Sequence, residues 1–226
     1  MKNFYIIIVA VAVVGGGVLY YAMSGGTPTL EPVELGELDN AELIELAQPA
    51  YVFGDDDAPV TIMEFADYQC PVCKRFGLFD KPQVDAEFIS SGQAKLVLHD
   101  YPMLDLHPHA FLAARAARCA GDQDRYPEYH DLVFDTQEDW SPMASAAGYF
   151  KDLAAQLELD TSAFNSCLDS DEHARVVSAN MMLGQAFQVS GTPTLFVHRG
   201  GPPVYRLGGS RFLDVKQAVE SAGDEN

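Results

Sequence analysis

The segment Cys70-Pro71-Val72-Cys73 sets two thiols one helical turn apart. Thiols at this spacing either ligate a metal or cycle between dithiol and disulfide; a static bridge is the inert alternative. Structural zinc needs four ligands. Cys119 and Cys167 each stand alone in the sequence, and His107 and His109 lie in a turn around Pro108 with no second paired-cysteine motif beside them. No metal is expected at the site. Exchange fits the local pattern better, because a strand pattern ends just before Cys70 and a helical pattern begins at it. At a helix start, unpaired backbone N–H groups and the positive end of the dipole favour a thiolate. Pro71 suits the first helical position, where its missing N–H costs nothing. Cys70 is therefore expected to be the outer, attacking sulfur and Cys73 the inner, resolving one. Lys74 and Arg75 follow directly and are expected to help hold the thiolate. Val72 offers neither charge nor hydrogen bond, so the lowering at Cys70 should be smaller than a histidine there would give.

Two remote features bear on the same chemistry. Glu64 interrupts an otherwise apolar strand six residues before Cys70. Pointing beneath the helix, a desolvated carboxyl with a raised pKa could move the proton of Cys73; on an edge strand it would simply face solvent. Ser190-Gly191-Thr192-Pro193-Thr194 opens a later strand. With Pro193 cis, the backbone of Thr192 would be presented to an extended peptide, which could add to the sheet as a strand while Cys70 forms a mixed disulfide. Thr192, Pro193, Pro71 and Val72 are thus the expected substrate-contacting residues.

These residues need a scaffold. Val60 to Ala66 reads as a buried strand, Cys70 to about Ser90 as a helix kinked or divided at Pro82, and Lys95 to His99 as a second strand, forming a βαβ unit. Helical patterns then run from Pro108 to about Phe187, with Asp160 as an N-cap. A hairpin (Thr194 to His198, Val204 to Leu207) and a helix from Phe212 to Ser221 close the chain. The spaced aromatics Tyr126, Tyr129, Phe134, Trp140 and Tyr149 read as core, as do Met181 and Met182. The triplet Asp55-Asp56-Asp57 reads as a solvated turn.

The 226 residues are 48% hydrophobic and 21% charged, enough for one sizeable domain without disulfides to compensate for a small core. A formal charge of −19, from 33 acidic against 14 basic residues, makes nucleic acid an unfavourable partner. The first 23 residues differ from the rest. Lys2 precedes an uncharged run from Phe4 to Met23, about long enough to span a bilayer. Residues 4–23 are therefore expected to be an N-terminal transmembrane helix, with the body on the extracytoplasmic side, where disulfides persist. Ala22 and Ser24 also form a weak cleavage site, which keeps a released form as the alternative. Residues 24–50 read as a tether with a short helix from Ala41 to Ala47, and residues 51–222 as the folded domain.

The order Glu64, Cys70-Pro71-Val72-Cys73, a helical block, then Gly191-Thr192-Pro193-Thr194 resembles the DsbA-like branch of the thioredoxin superfamily, particularly its membrane-anchored, BdbD-like members. Asp57-Ala58-Pro59-Val60-Thr61 and Glu64-Phe65-Ala66-Asp67-Tyr68-Gln69-Cys70-Pro71 support it, and the likeness runs from about Tyr51 to Ser221. The resemblance implies a thioredoxin-like α/β fold with a helical insertion at about 104–187 and Pro193 in cis. It also implies Cys70 as nucleophile, Cys73 as resolving thiol and Glu64 as buried acid. Val72 is the departure, since the best-known periplasmic oxidases of the branch carry histidine there, and it leaves the direction of electron flow open. In an oxidising compartment Cys119 and Cys167 are expected to pair and staple the insertion, although sequence alone does not fix that connectivity.

The leading expectation is oxidation of dithiols in reduced or misoxidised exported proteins by a monomer without a cofactor, reoxidised by a membrane protein of the DsbB or VKOR type. The same site run as a reductase or isomerase is one alternative. A membrane-tethered binding or chaperone module with a structural Cys70–Cys73 pair is another, and a metallochaperone a third.

Overall fold

The computed structural model describes residues 28–224. The expected membrane span, 4–23, lies outside them, and no helix among the described residues is long and apolar enough to cross a membrane. Five strands form one sheet: β1 (Tyr51–Phe53), β2 (Val60–Ala66), β3 (Ala94–Asp100), β4 (Thr194–His198) and β5 (Tyr205–Arg206), in the order β1-β3-β2-β4-β5. β2 runs parallel to β3, and every other pairing is antiparallel. Among the described residues, ten helices accompany them. α1 spans Asn40–Leu46, α2 Pro71–Arg75, α3 Lys81–Val84, α4 Ala110–Gly121 and α5 Tyr126–Asp135. α6 is Gln137–Trp140, α7 Ala147–Gln156, α8 Thr161–Asp169, α9 Ala174–Ala186 and α10 Phe212–Asp224. This is a thioredoxin-like α/β sheet with α4 to α9 inserted between β3 and β4.

β2 lies between β3 and β4 and is covered on both faces, so all seven of its residues are buried. That removes the edge-strand reading of Glu64, which pairs in register with Leu98 on one side and Leu195 on the other. β1 is a strand the sequence pattern did not predict. Three half-buried residues are too short a run to show a period, and antiparallel pairing with β3 defines it instead.

Helix formation after Cys70 also differs from expectation. Pro82 does not divide it: the chain stays helical through π turns at Phe76–Asp80 and Asp85–Ile89, on either side of α3. Pro82 falls in the first turn of α3, and the preceding π turn opens the backbone ladder where proline has no N–H to donate.

The stretch expected as a tether is bound to the body from Thr29 onward. The Thr29 N–H donates to Asp171 Oδ1 at 2.8 Å, the buried Arg115 guanidinium donates to Thr29 O at 2.6 Å, and the Val33 N–H donates to Ser178 Oγ at 3.0 Å. Leu35 and Leu38 pack with α1 on an apolar cluster around Phe65, Leu183 and Phe196. Asp39 caps α1 by accepting from the Ala41 and Glu42 N–H groups.

The insertion has its own core. Tyr126, Tyr129, Phe134 and Trp140 are fully buried, with Tyr129 Oη donating to Phe150 O at 2.8 Å and Trp140 Nε1 to Val133 O at 2.9 Å. Cys119 in α4 and Cys167 in α8 are joined by a disulfide across 48 residues of sequence. Met181 and Met182 are only half-buried, and Met181 lines a groove with Tyr101 and Met103 to Leu106.

Candidate active site

Cys70 is the N-cap of α2 and Pro71 its first residue; the Lys74 N–H closes the first helical bond on Cys70 O at 3.1 Å. The turn before it is pinned by Asp67. Its carbonyl accepts from the Cys70 N–H at 3.1 Å, its Oδ1 accepts from the Gln69 N–H at 2.7 Å, and its own N–H points at Cys73 Sγ, 3.5 Å away. Cys70 keeps 7% of its surface exposed and Cys73 none. Both are free thiols, so this is the dithiol form. Across the cleft the Thr192–Pro193 peptide is cis, and Cys70 Sγ donates to Thr192 O at 3.3 Å.

The two sulfurs differ in acidity. The Cys70 pKa is lowered to about 6, chiefly because the Cys73 thiol donates to the Cys70 sulfur. The Cys73 and Val72 N–H groups and the Thr192 hydroxyl add to the effect, while burial opposes it. Cys73 moves the other way, driven up by burial, then by Cys70 and by the nearby Glu64 carboxyl. Glu64 is itself raised to about 8 by burial, against a smaller opposing pull from Lys81. A low-pKa outer sulfur, a high-pKa inner one and a carboxylic acid beneath them form a site for thiol exchange coupled to proton transfer.

The expected contribution of Lys74 and Arg75 is not found. Lys74 pairs with Glu138 and donates to Asp135 O, and Arg75 pairs with Asp80, so both cations are held by acids away from the sulfurs. Val72 is 45% exposed and borders a cleft of about 210 Å³ with Thr192, Pro193, Leu195, Arg206 and Gly208. A larger cleft, about 600 Å³, lies at the far end of β2 by Pro59 and Val60 and holds neither cysteine.

Several residues that shape the site escaped the sequence reading. Gln137 Nε2 donates to Tyr68 O at 2.7 Å and to Cys70 O at 3.1 Å, tying the turn to the insertion. Gln69 Oε1 accepts from the His109 N–H at 2.9 Å. Behind Glu64, Tyr68 Oη bonds to both Tyr126 Oη and His130 Nδ1. Lys81 is buried over the Phe53 ring, 3.8 Å from its centroid, and pairs with Asp85. Gln137 and Lys81 carry no local signal at all. His107 was visible only as a rejected zinc ligand; here its Nδ1 bonds to Asp67 Oδ2 at 2.7 Å.

Comparison with known proteins agrees with this geometry. Residues 47–200 match the family described as Thioredoxin. The chain is 31% identical over 153 residues to disulfide bond formation protein D of Bacillus subtilis, covering 65% of this chain and 67% of that protein. It is 33% identical over 148 residues to a protein of Salinispora tropica named Na(+)/H(+) antiporter NhaA 3, covering 66% of this chain but only 21% of that one. Among solved structures, oxidised BdbD of Bacillus subtilis superposes with a TM-score of 0.68 at 26% identity, over 88% of this chain and 96% of the other.

Proposed function

Because the chain belongs to the thioredoxin family, and within it to the DsbA-like thiol–disulfide oxidoreductases, we propose that it oxidises dithiols of exported proteins through Cys70 and Cys73. The observation that carries this direction is the acidity of Cys70. A thiolate stabilised in the reduced form makes the corresponding disulfide easier to reduce, and so a better oxidant of its substrate.

The cycle starts from the Cys70–Cys73 disulfide. A substrate thiolate attacks Cys70 Sγ, the bond to Cys73 breaks, and Cys73 leaves with the electron pair. Buried and of raised pKa, it takes a proton from Glu64, which is protonated at neutral pH. The mixed disulfide at Cys70 lies beside Thr192 and Pro193, where the Thr192 carbonyl, no longer holding the Cys70 thiol, accepts from a substrate backbone N–H. Pro71 and Val72 form the opposite wall. A second substrate thiolate then attacks the substrate sulfur and Cys70 leaves, aided by its low pKa. Two electrons pass from substrate to enzyme; a membrane protein of the DsbB or VKOR type removes them. In this reading the enzyme is a monomer held at the outer side of the cytoplasmic membrane by residues 4–23, and Cys119–Cys167 is structural.

Two measurements test it. In a Cys73→Ala variant, mixed disulfides accumulate through Cys70 during expression; their absence would favour a tethered binding module. Redox titration of Cys70–Cys73 gives a potential well above that of thioredoxin, about −270 mV. A value near thioredoxin's would reverse the direction and make the enzyme a reductase.

A further inference from the structure

The segment between β3 and α4 touches the redox site without having a part in the cycle described above. Met103 bridges two of its components. Its N–H donates to Asp67 Oδ2 at 2.8 Å, and its sulfur accepts from the Thr192 hydroxyl at 3.6 Å. Four residues on, His107 donates its own N–H to Met103 O and sets its ring on the same Asp67 oxygen. Asp67 is buried, 1% exposed, and its backbone contacts both cysteines, through Cys70 N–H and Cys73 Sγ. The carboxylate of a residue whose backbone meets both cysteines opposes a negative sulfur unless a cation offsets it. Lys74 and Arg75 do not, being paired with Glu138 and Asp80. His107 is the basic side chain that meets Asp67, and its side chain is 18% exposed.

We propose that His107, held by Asp67, is a positioning residue that supplies a positive charge beside the cysteines, stabilises the Cys70 thiolate and extends exchange into the acid range. The inference rests on the exchange function proposed above and adds the group that regulates it. The charged groups facing His107 are Asp67, from the turn after β2, and Cys70, from the cap of α2; both raise its pKa, Asp67 the more strongly, while burial lowers it. The coupling is reciprocal: a protonated His107 lowers the pKa of Cys70 as the thiolate raises that of His107. As pH falls, His107 gains its proton and the thiolate persists further into acid. As pH rises through its titration that support is withdrawn, but by then Cys70 ionises unaided.

The test is alkylation of Cys70 by iodoacetamide in the reduced full-length protein from pH 4.5 to 9, with the modified residue identified by mass and the thiolate followed by its ultraviolet absorbance. His107→Gln lowers the rate at pH 5 by about threefold to tenfold and leaves the rate at pH 9 unchanged. His107→Lys, which keeps a cation, restores the acid-side rate. A folded His107→Gln protein with the wild-type profile overturns the proposal, as does a uniform loss at every pH, which marks a structural role. If His107→Gln does not fold, His107→Lys decides alone: failure to hold the acid-side rate overturns the proposal. The exchange function fails on a different result, the absence of mixed disulfides in Cys73→Ala.

Discussion

At the scale of single residues, Glu64 carries the clearest pH signature. Its ordinary pKa, near 4.5, rises to about 8 on folding. Between these values the folded protein holds a proton that the unfolded chain has released, so stability falls as pH rises through the window, with the full cost above about 8. Glu64→Gln keeps the shape and removes the titration. In the oxidised protein, where neither active-site cysteine titrates, the variant should gain about 3–5 kcal/mol over wild type at pH 8.5 and little at pH 4.5, as read by urea unfolding. Equal gains at both values would mean that Glu64 does not titrate in this range. The same variant should release Cys73 at least about tenfold more slowly in stopped-flow exchange, because the acid that protonates the leaving sulfur is gone. Much of this chemistry was legible in the sequence. Glu64, Cys70, Cys73 and Pro193 announce themselves by residue type against a local pattern: an acid in an apolar strand, thiols at a helix start, a proline opening a strand. Lys81 gave no such signal, since lysine is ordinarily exposed and its burial depends on Phe53 arriving from β1.

At the scale of elements, α9 approaches the end of β3 closely at Gly184. A Cβ there would fall 2.4 and 2.5 Å from two atoms of the Tyr101 ring and 3.2 Å from Phe65. Tyr101 is not free to yield, because its hydroxyl donates to Val189 O at 2.9 Å and its N–H to Ala66 O at 2.7 Å. Gly184→Ala should therefore cost about 1–3 kcal/mol in chemical unfolding. Since Tyr101 begins the segment that carries Met103 and His107, the substitution should also alter the alkylation profile of Cys70; a stable variant with the wild-type profile would uncouple α9 from the site. β2, β3, the closing hairpin and the N-cap of α8 follow from period, β-branched content and capping chemistry. β1, the π turns and the docked segment from Thr29 do not, because each is fixed by partners far off in the chain: Leu98 for Tyr51, Asp171 for Thr29.

At the scale of the whole molecule, the net charge of −19 is left on the surface. Lys74, Arg75, Lys81, Arg118, Lys151 and Lys216 are all paired with carboxylates, leaving an excess of exposed acid. Such a field attracts cationic thiol peptides to the molecule and repels anionic ones. At low ionic strength a dithiol peptide flanked by lysines should be oxidised about tenfold faster than the same peptide flanked by glutamates, and the ratio should shrink towards one in 0.5 M salt. A ratio indifferent to salt would show that local contacts, such as those beside Val72 and Arg206, govern selection. Charge was fully legible from composition; its distribution was not, because the pairings depend on the fold.

Gln137 joins these scales. One side-chain amide from the insertion holds both Tyr68 O and Cys70 O. A lineage that trimmed the insertion at this point would leave Tyr68 O without its donor and Cys70 O with the Lys74 N–H alone, whatever became of the sulfurs. The insertion and the dithiol are therefore constrained to change together: the helical block can drift in sequence around its aromatic core, but it cannot be shortened past Gln137 unless another donor replaces it.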